Sequence, residues 1–254
     1  MFDAPSLSLD DRNNVVCAAP TSRADDIEAR YRARFMCDIL KRVSPLQFKS
    51  VIDFGCGDGS ILRLVMRKLG AIKAKGIDLE VSEVRSGSFV LRRGNLLDYV
   101  PEETYDLVIS NQVFEHIYEP WLPRYFAVLK GSCAPKGLIL ISTPNRWRPR
   151  NILRALFLCR PYMMSSNRGL PPEQHLGHHR ECSFRELRAI LDKHFDPNEW
   201  SFTVLRTVPR NIDSRPRWMG NILLYFLLWV FWRPLVISAS QDHYAVFRRL
   251  REHD

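Results

Sequence analysis

The chain has 254 residues, 46% of them hydrophobic, enough for one large domain with a full core and no need of covalent staples. Six cysteines lie at 17, 37, 56, 133, 159 and 182 without a Cys-x-x-Cys pair or regular spacing, a pattern that reads as a reducing compartment. The formal net charge of +9 points to anionic partners without choosing among them.

Residues 1–20 show neither helical nor strand periodicity and read as a disordered tail. Met1 to Asn14 holds three aspartates and one arginine with no continuous apolar run, so it is neither a secretory signal nor a transit peptide, and a cytoplasmic location is expected. Ser22 with Asp25 resembles a capping box, and Ile27, Tyr31, Phe35 and Ile39 recur at helical spacing beyond it. A strand is then predicted over Val51 to Phe54, a helix over Ser60 to Leu69 stopped by Gly70, and a strand ending at Ile77-Asp78. Further strands are predicted at Phe89 to Arg92, Asp106 to Ser110, Leu138 to Ser142, Phe202 to Val208 and Tyr244 to Arg249. Ser183 with Glu186 opens a helix to about Lys193. Seven short apolar strands separated by helices predict a doubly wound, mostly parallel α/β sheet with both faces covered.

Two stretches stand outside that alternation. Arg146 to Arg160 carries five arginines and no acid among apolar residues, which reads either as an anion-facing surface or as a solvated basic helix face. Trp218 to Trp232 is fifteen residues without a charge, flanked by Arg215, Arg217 and Arg233. It is short for a membrane span, and a single crossing would put the last strand on the wrong side. An acceptor lid, a dimer contact or a helix lying in a lipid interface remain, as a hydrophobic insertion at 210–240 before the last strand.

The segment after the first strand, Gly55-Cys56-Gly57-Asp58-Gly59, spaces its glycines at alternate positions. Such a turn lets the backbone bend sharply and lets a ligand approach the free N–H groups of the following helix. A dinucleotide fingerprint wants its third glycine one residue later, where Ser60 stands, so a nicotinamide-dependent oxidoreductase is disfavoured. Asp78, at the end of the second strand, is placed to accept the ribose hydroxyls of an adenosine ligand.

Val51-Ile52-Asp53-Phe54-Gly55-Cys56-Gly57-Asp58-Gly59 resembles motif I of class I S-adenosylmethionine-dependent methyltransferases, and Tyr105 to Ser110 resembles the fourth strand of their fold. Phe114-Glu115-His116-Ile117, Pro135 to Arg146 and Ser183 to Leu187 extend the likeness, over about residues 25 to 200, to the ubiquinone-biosynthesis O-methyltransferases and their relatives acting on sugars and natural products. The resemblance implies that Asp53 lies under the methionine end of S-adenosylmethionine, with Gly55, Cys56 and Gly57 lining it. It also implies that Asp78 holds the ribose, that Leu79, Asn95 and Leu96 meet the adenine, and that Asn111 lies near the sulfonium.

Methyl transfer needs alignment and dryness, and it needs a base only for a hydroxyl acceptor. Glu115 and His116 are the candidate catalytic pair, against the plainer reading of a helix-start carboxylate beside a structural histidine. His175, His178 and His179 are further candidates, on a substrate loop or an ordinary polar loop, and with Cys182 they match no standard zinc pattern. In the quinone-pathway relatives a Glu-x-x-Glu-His pattern is associated with a divalent metal, but Gln112 replaces its first glutamate here, so no metal is expected. Asn111-Gln112-Val113-Phe114 also lacks the Asn/Asp-Pro-Pro-aromatic signature of nucleobase amino-methylating enzymes, which makes nucleic acid an unlikely acceptor. The expected activity is transfer of a methyl group to a hydroxyl on a small hydrophobic, lipid-linked, sugar or natural-product acceptor. A non-catalytic scaffold that binds the cofactor is the rival, and association with a membrane surface is a further expectation.

Overall fold

Along the central strands, successive apolar side chains enter opposite cores. Ile52, Val108, Ile139 and Ile141 join one cluster with Phe114, Tyr125, Phe126, Leu187 and Leu191. Val51, Leu107, Ile109, Leu138 and Leu140 join another with Met36, Leu40, Leu62 and Val65. A strand alternates its side chains across the sheet, so these two clusters are its two faces, and helices must cover both. The computed structural model describes residues 23–44, 47–148, 151, 178–206 and 242–250.

The strands among the described residues are β1 (Ser50–Phe54), β2 (Lys73–Asp78), β3 (Val84–Ser86), β4 (Phe89–Arg93), β5 (Tyr105–Asn111), β6 (Cys133–Pro144), β7 (Trp200–Arg206) and β8 (Asp242–Arg249). They form one sheet in the order β3-β4-β2-β1-β5-β6-β8-β7. The inner pairs from β4 to β6 are parallel, while β8 runs antiparallel to both β6 and β7. Helices α1 (Arg23–Val43) and α2 (Ser60–Leu69) supply residues to one core, and α3 (Leu122–Ser132) and α4 (Phe184–His194) to the other. Chain order reverses between β1 and β5, and the carboxyl ends of strands at such a point leave a crevice for a ligand.

The expected doubly wound α/β sheet is present, with eight strands in place of seven. The added β3 is a three-residue antiparallel edge strand joined to β4 through Gly87, whose φ of 57° suits a tight turn. Three residues carry too little alternation to register as a strand. In α1 the buried stripe is Ala33, Met36, Cys37, Ile39 and Leu40, which includes the predicted Ile39 but lies one step round from the predicted Tyr31 and Phe35. Those two rings lie at its margin, where Phe35 meets Tyr244 of β8 with centroids 5.0 Å apart.

The helix predicted to start at Glu115 starts later. Residues Phe114–His116 form a single 3-10 turn and α3 begins at Leu122, so Glu115 is not a dipole-stabilised carboxylate at a helix start. Its side chain faces inward instead, 1% exposed. The tail at 1–20, the arginines from Arg150 to Arg160, His175 and the apolar stretch 218–232 lie outside the described residues. That stretch falls between β7 and β8, in the connection where an insertion was expected. No helix among the described residues is long and apolar enough to cross a membrane.

Candidate active site

The crevice opens at the carboxyl ends of β1 and β2. Gly55, Gly57 and Gly59 all have positive φ, between 55° and 79°, and this sets the sharp turn into α2. A Cβ on Gly55 would meet Val113 Cγ2 at 2.2 Å, and one on Gly59 would meet Leu91 Cδ1 at 2.8 Å, so both positions pack against protein. A Cβ on Gly57 would meet nothing within 4 Å. Gly57 therefore faces open space, in a cleft of about 320 Å3 that Asp58, Asp78, Val81 and Leu91 also line.

Three carboxylates surround this turn. Asp53 is 2% exposed, its Oδ1 has no hydrogen-bond partner, and burial, with Asp78 nearby, holds its pKa well above the usual carboxylate range. Asp78 accepts from the amide of Gly57 through Oδ2 at 2.9 Å and from that of Glu80 through Oδ1 at 3.0 Å. A carboxylate has about four acceptor positions, so two remain for ribose hydroxyls. Asp58 accepts from the amide and the hydroxyl of Ser60, which places a negative charge at the first turn of α2. A pyrophosphate would need that position, and the side chains of Asp58 and Asp78 oppose it; a cationic ligand would relieve the orphaned Asp53. The residues present fit S-adenosylmethionine, whose ammonium end is cationic, and do not fit a dinucleotide. Cys56 is buried, and its pKa is pushed up by desolvation and neighbouring acids, so it lines the turn without being a nucleophile.

Leu79, Asn95 and Leu96, expected to meet the adenine, lie on the Asp78 side of the crevice and differ in their surroundings. Leu79 is 61% exposed, and the apolar wall beside Asp78 comes from Val81 and Leu91, which the motif reading did not single out. Asn95 spends one acceptor position on the amide of Leu97 at 3.0 Å, capping a short turn. Leu96 is packed against the core. The amide of Gly94 donates to the carbonyl of Asp78 at 2.9 Å, so this segment does reach the edge of the site. Asn111 ends β5, and its Oδ1 accepts from the Ser142 hydroxyl at 2.6 Å.

Immediately after Asn111 the chain turns at Gln112, a non-glycine residue with φ 60°. Its amide donates to the carbonyl of Ser142, and Phe114 then fills the core while Glu115 turns under it. Glu115 Oε2 accepts from the Thr143 hydroxyl at 3.1 Å, while Oε1 is buried without a hydrogen-bond partner. Desolvation raises its pKa to about 7. The Glu115 carbonyl accepts from the amides of His179 and Arg180, and this draws the loop before α4 over β5. One consequence is that His116 and His178 meet ring to ring, 4.8 Å apart and at 84°. Potential ligand atoms of Glu115, His116 and His178 all lie within 4.8 Å of one another. Such a group can share a proton, and it could also supply three ligands to a divalent ion; Gln112, at the place of a fourth, turns to Ser142 instead. The His179 ring lies tilted against Tyr118, with centroids 5.7 Å apart. Cys182 is buried, with its pKa pushed up to about 11 by desolvation, and stands outside the trio.

Behind the trio lies a buried network that sequence reasoning missed. Glu181, with a side chain 3% exposed, receives Arg148, Asn151 and His178. Arg146 pairs with Glu186, itself half of the capping box on Ser183. The described part of the basic stretch is thus neutralised internally and is not an anion-facing surface. The signal available was Glu181 three residues after His178, too common a spacing to single out.

Comparison with known proteins agrees with this geometry. A family model described as "Methyltransferase domain" matches residues 29–196. Trans-aconitate 2-methyltransferase of Escherichia coli O1:K1 / APEC is 26% identical over 134 residues, 49% of this chain and 51% of that protein. The Rhizobium rhizogenes enzyme of the same name is 27% identical over 122 residues, 45% of this chain and 46% of that protein. The chain therefore spans about half the length of the curated relatives it matches. Among solved structures, the methyltransferase domain of bacterial CtHen1-C has a TM-score of 0.55 at 19% identity, covering 88% of this chain and 98% of that one. The plantazolicin methyltransferase BpumL in complex with SAH has a TM-score of 0.56 at 15% identity, covering 90% and 86%. At these identities the likeness is one of fold.

Proposed function

The chain belongs to the methyltransferase-domain family, whose members use S-adenosylmethionine, and on that premise we propose that it methylates a hydroxyl of a small hydrophobic acceptor. The observation that carries this reading is the trio of Glu115, His116 and His178, of which Glu115 and His116 follow in the chain on Val113, the residue that packs against Gly55 of the glycine turn. The cofactor supplies a methyl group already activated on sulfur. Asp53 would hold its cationic end and Asp78 its ribose, and Gly57 leaves the room that they require. A hydroxyl acceptor must lose a proton as its oxygen takes the methyl group, and a base contributes about 10²- to 10⁴-fold to such a step. Glu115, His116 and His178 are groups suited to receive that proton. A carboxylate acceptor needs no base and favours unpaired cations; Arg146 and Arg148 are engaged by glutamates, whereas Arg180 donates to the Ile117 carbonyl and keeps a buried Nε without a hydrogen-bond partner, so carboxylic acids belong in the acceptor test below. The hydroxyl of a quinone-like phenol, a sugar or a natural product fits this chemistry. The uncharged stretch 218–232 supports a hydrophobic acceptor and attachment to a lipid surface, and liposome co-sedimentation that failed at low salt would remove the attachment.

The deciding experiment has two arms. Thermal stabilisation by S-adenosylhomocysteine but not NAD is expected, since only a ligand of the native state raises the midpoint. Labelled S-adenosylmethionine with pools of phenols, hydroxylated lipids, sugars and carboxylic acids should label hydroxyl acceptors. Cofactor binding without any transfer would support a scaffold, and methyl esters alone would overturn the hydroxyl reading.

A further inference from the structure

His178 has two structurally distinct nitrogens, and Glu181 fixes which one is basic. Nδ1 of His178 lies 3.2 Å from Oε1 of Glu181, and the Glu181 side chain is 3% exposed. Glu181 already accepts from Arg148 at Oε1 and from Asn151 at Oε2, so it meets His178 as an ion-paired carboxylate that accepts. The contact therefore requires His178 to be the donor at Nδ1. A neutral imidazole that donates at one nitrogen accepts at the other, so Nε2 is left without a proton. The opposite tautomer would set a lone pair against a buried carboxylate.

The same carboxylate is fixed from behind. Arg148 reaches Oε1 at 2.5 Å, Asn151 reaches Oε2, and the Arg146 guanidinium donates to the Glu181 carbonyl at 2.8 Å. Asn151 also donates to the Arg146 carbonyl at 3.0 Å. These bonds tie the chain after β6 to the loop before α4, so Glu181 has little freedom to leave His178. On the other side, the ring of His178 packs edge-on against His116, with Glu115 close by. A histidine held by a buried carboxylate on one nitrogen and placed among acceptor-side groups is oriented for work at its other nitrogen.

We propose that Glu181 is a positioning residue for methyl transfer, which fixes His178 as the Nδ1–H tautomer and so makes Nε2 the nitrogen that receives the acceptor's proton. This rests on the hydroxyl reading above for its last step alone. The tautomer itself is a property of the folded chain.

Ring nitrogen NMR of histidine-labelled protein tests it. The spectrum is taken with S-adenosylhomocysteine and a chelator present, about two pH units above the ordinary imidazole value of about 6.5, and His178→Gln identifies the resonances. The Nδ1–H tautomer is expected at His178 in the wild type. Glu181→Gln should shift the population toward Nε2–H, the form water favours, whereas Arg148→Met, which keeps the carboxylate, should not. A wild-type Nε2–H tautomer would overturn the proposal even if no variant folded, and so would a Glu181→Gln spectrum identical to wild type. With any hydroxyl acceptor found in the pools, Glu181→Gln should lower kcat at least about tenfold, leave KM for S-adenosylmethionine unchanged, and cost nothing more when added to His178→Gln. Additive losses would mean that Glu181 acts by holding the loop. If no hydroxyl is methylated yet the tautomer is as expected, the hydroxyl reading fails and the positioning of His178 stands.

Discussion

The backbone amide of Gly57 donates to Asp78 Oδ2 across 2.9 Å, so the glycine turn after β1 and the carboxylate that ends β2 form a single unit. Ligand contacts at either residue depend on the other. Removing the Asp78 side chain would loosen the turn as well as delete an acceptor for the ribose, which makes Gly57 the cleaner place to probe the site.

Gly57→Val should abolish S-adenosylhomocysteine binding while the protein stays folded. Its Cβ would enter the cleft and touch no protein atom, and the left-handed φ of 55° costs about 1–2 kcal/mol for a side chain. For a chain of this size that is a fall in Tm of about 2–8 °C. Gly59→Val should cost clearly more stability, because its Cβ would run into Leu91. Calorimetric titration and melting of both variants check the contrast, and wild-type binding heats in Gly57→Val would contradict the site.

Binding of S-adenosylhomocysteine should release a proton from Asp53. Burial keeps that carboxyl protonated above the normal range, and a cationic ligand favours its ionised form. Affinity should thus rise with pH. The measurement is titration in buffers of different ionisation enthalpy, where the observed heat reports the proton released. Asp53→Asn should remove this dependence and weaken binding by about 1.5–3 kcal/mol. Proton uptake in the wild type would refute it.

Glu115 should make the protein less stable as pH rises. Its folded pKa of about 7 exceeds the reference 4.5, so the native state binds the proton more tightly than the unfolded state. The stabilisation is fully present below about pH 4.5 and is lost as pH rises through about 7. The difference corresponds to about 3 kcal/mol at about 1.4 kcal/mol per pH unit. Glu115→Gln should flatten this part of the stability curve and gain in Tm over wild type at alkaline pH. Parallel denaturant melts across that window, with chelator present, provide the check.

The glycine turn of the candidate site was legible because it is local. Alternating glycines demand positive φ whatever surrounds them, and the strand signals at Val51 to Phe54, at Ile77-Asp78 and at Asp106 to Ser110 place Asp53, Asp78 and Asn111 towards the ends of parallel strands. The capping box of Ser183 and Glu186 is equally local and was found where predicted. The acceptor half depends on contacts between segments far apart in the chain. Glu115 read as the start of a helix because its neighbours allow one; the turn at Gln112 and the amides of His179 and Arg180 bury it instead. Arg148 read as a surface charge because its partner Glu181 stands 33 residues away. Backbone strain, short glycine spacing and strand alternation act over a few residues and are written in the sequence. Which carboxylate a histidine or an arginine meets is decided only when the sheet brings the ends of β5 and β6 against the loop before α4, because charge pairing and desolvation depend on distance in space and not along the chain.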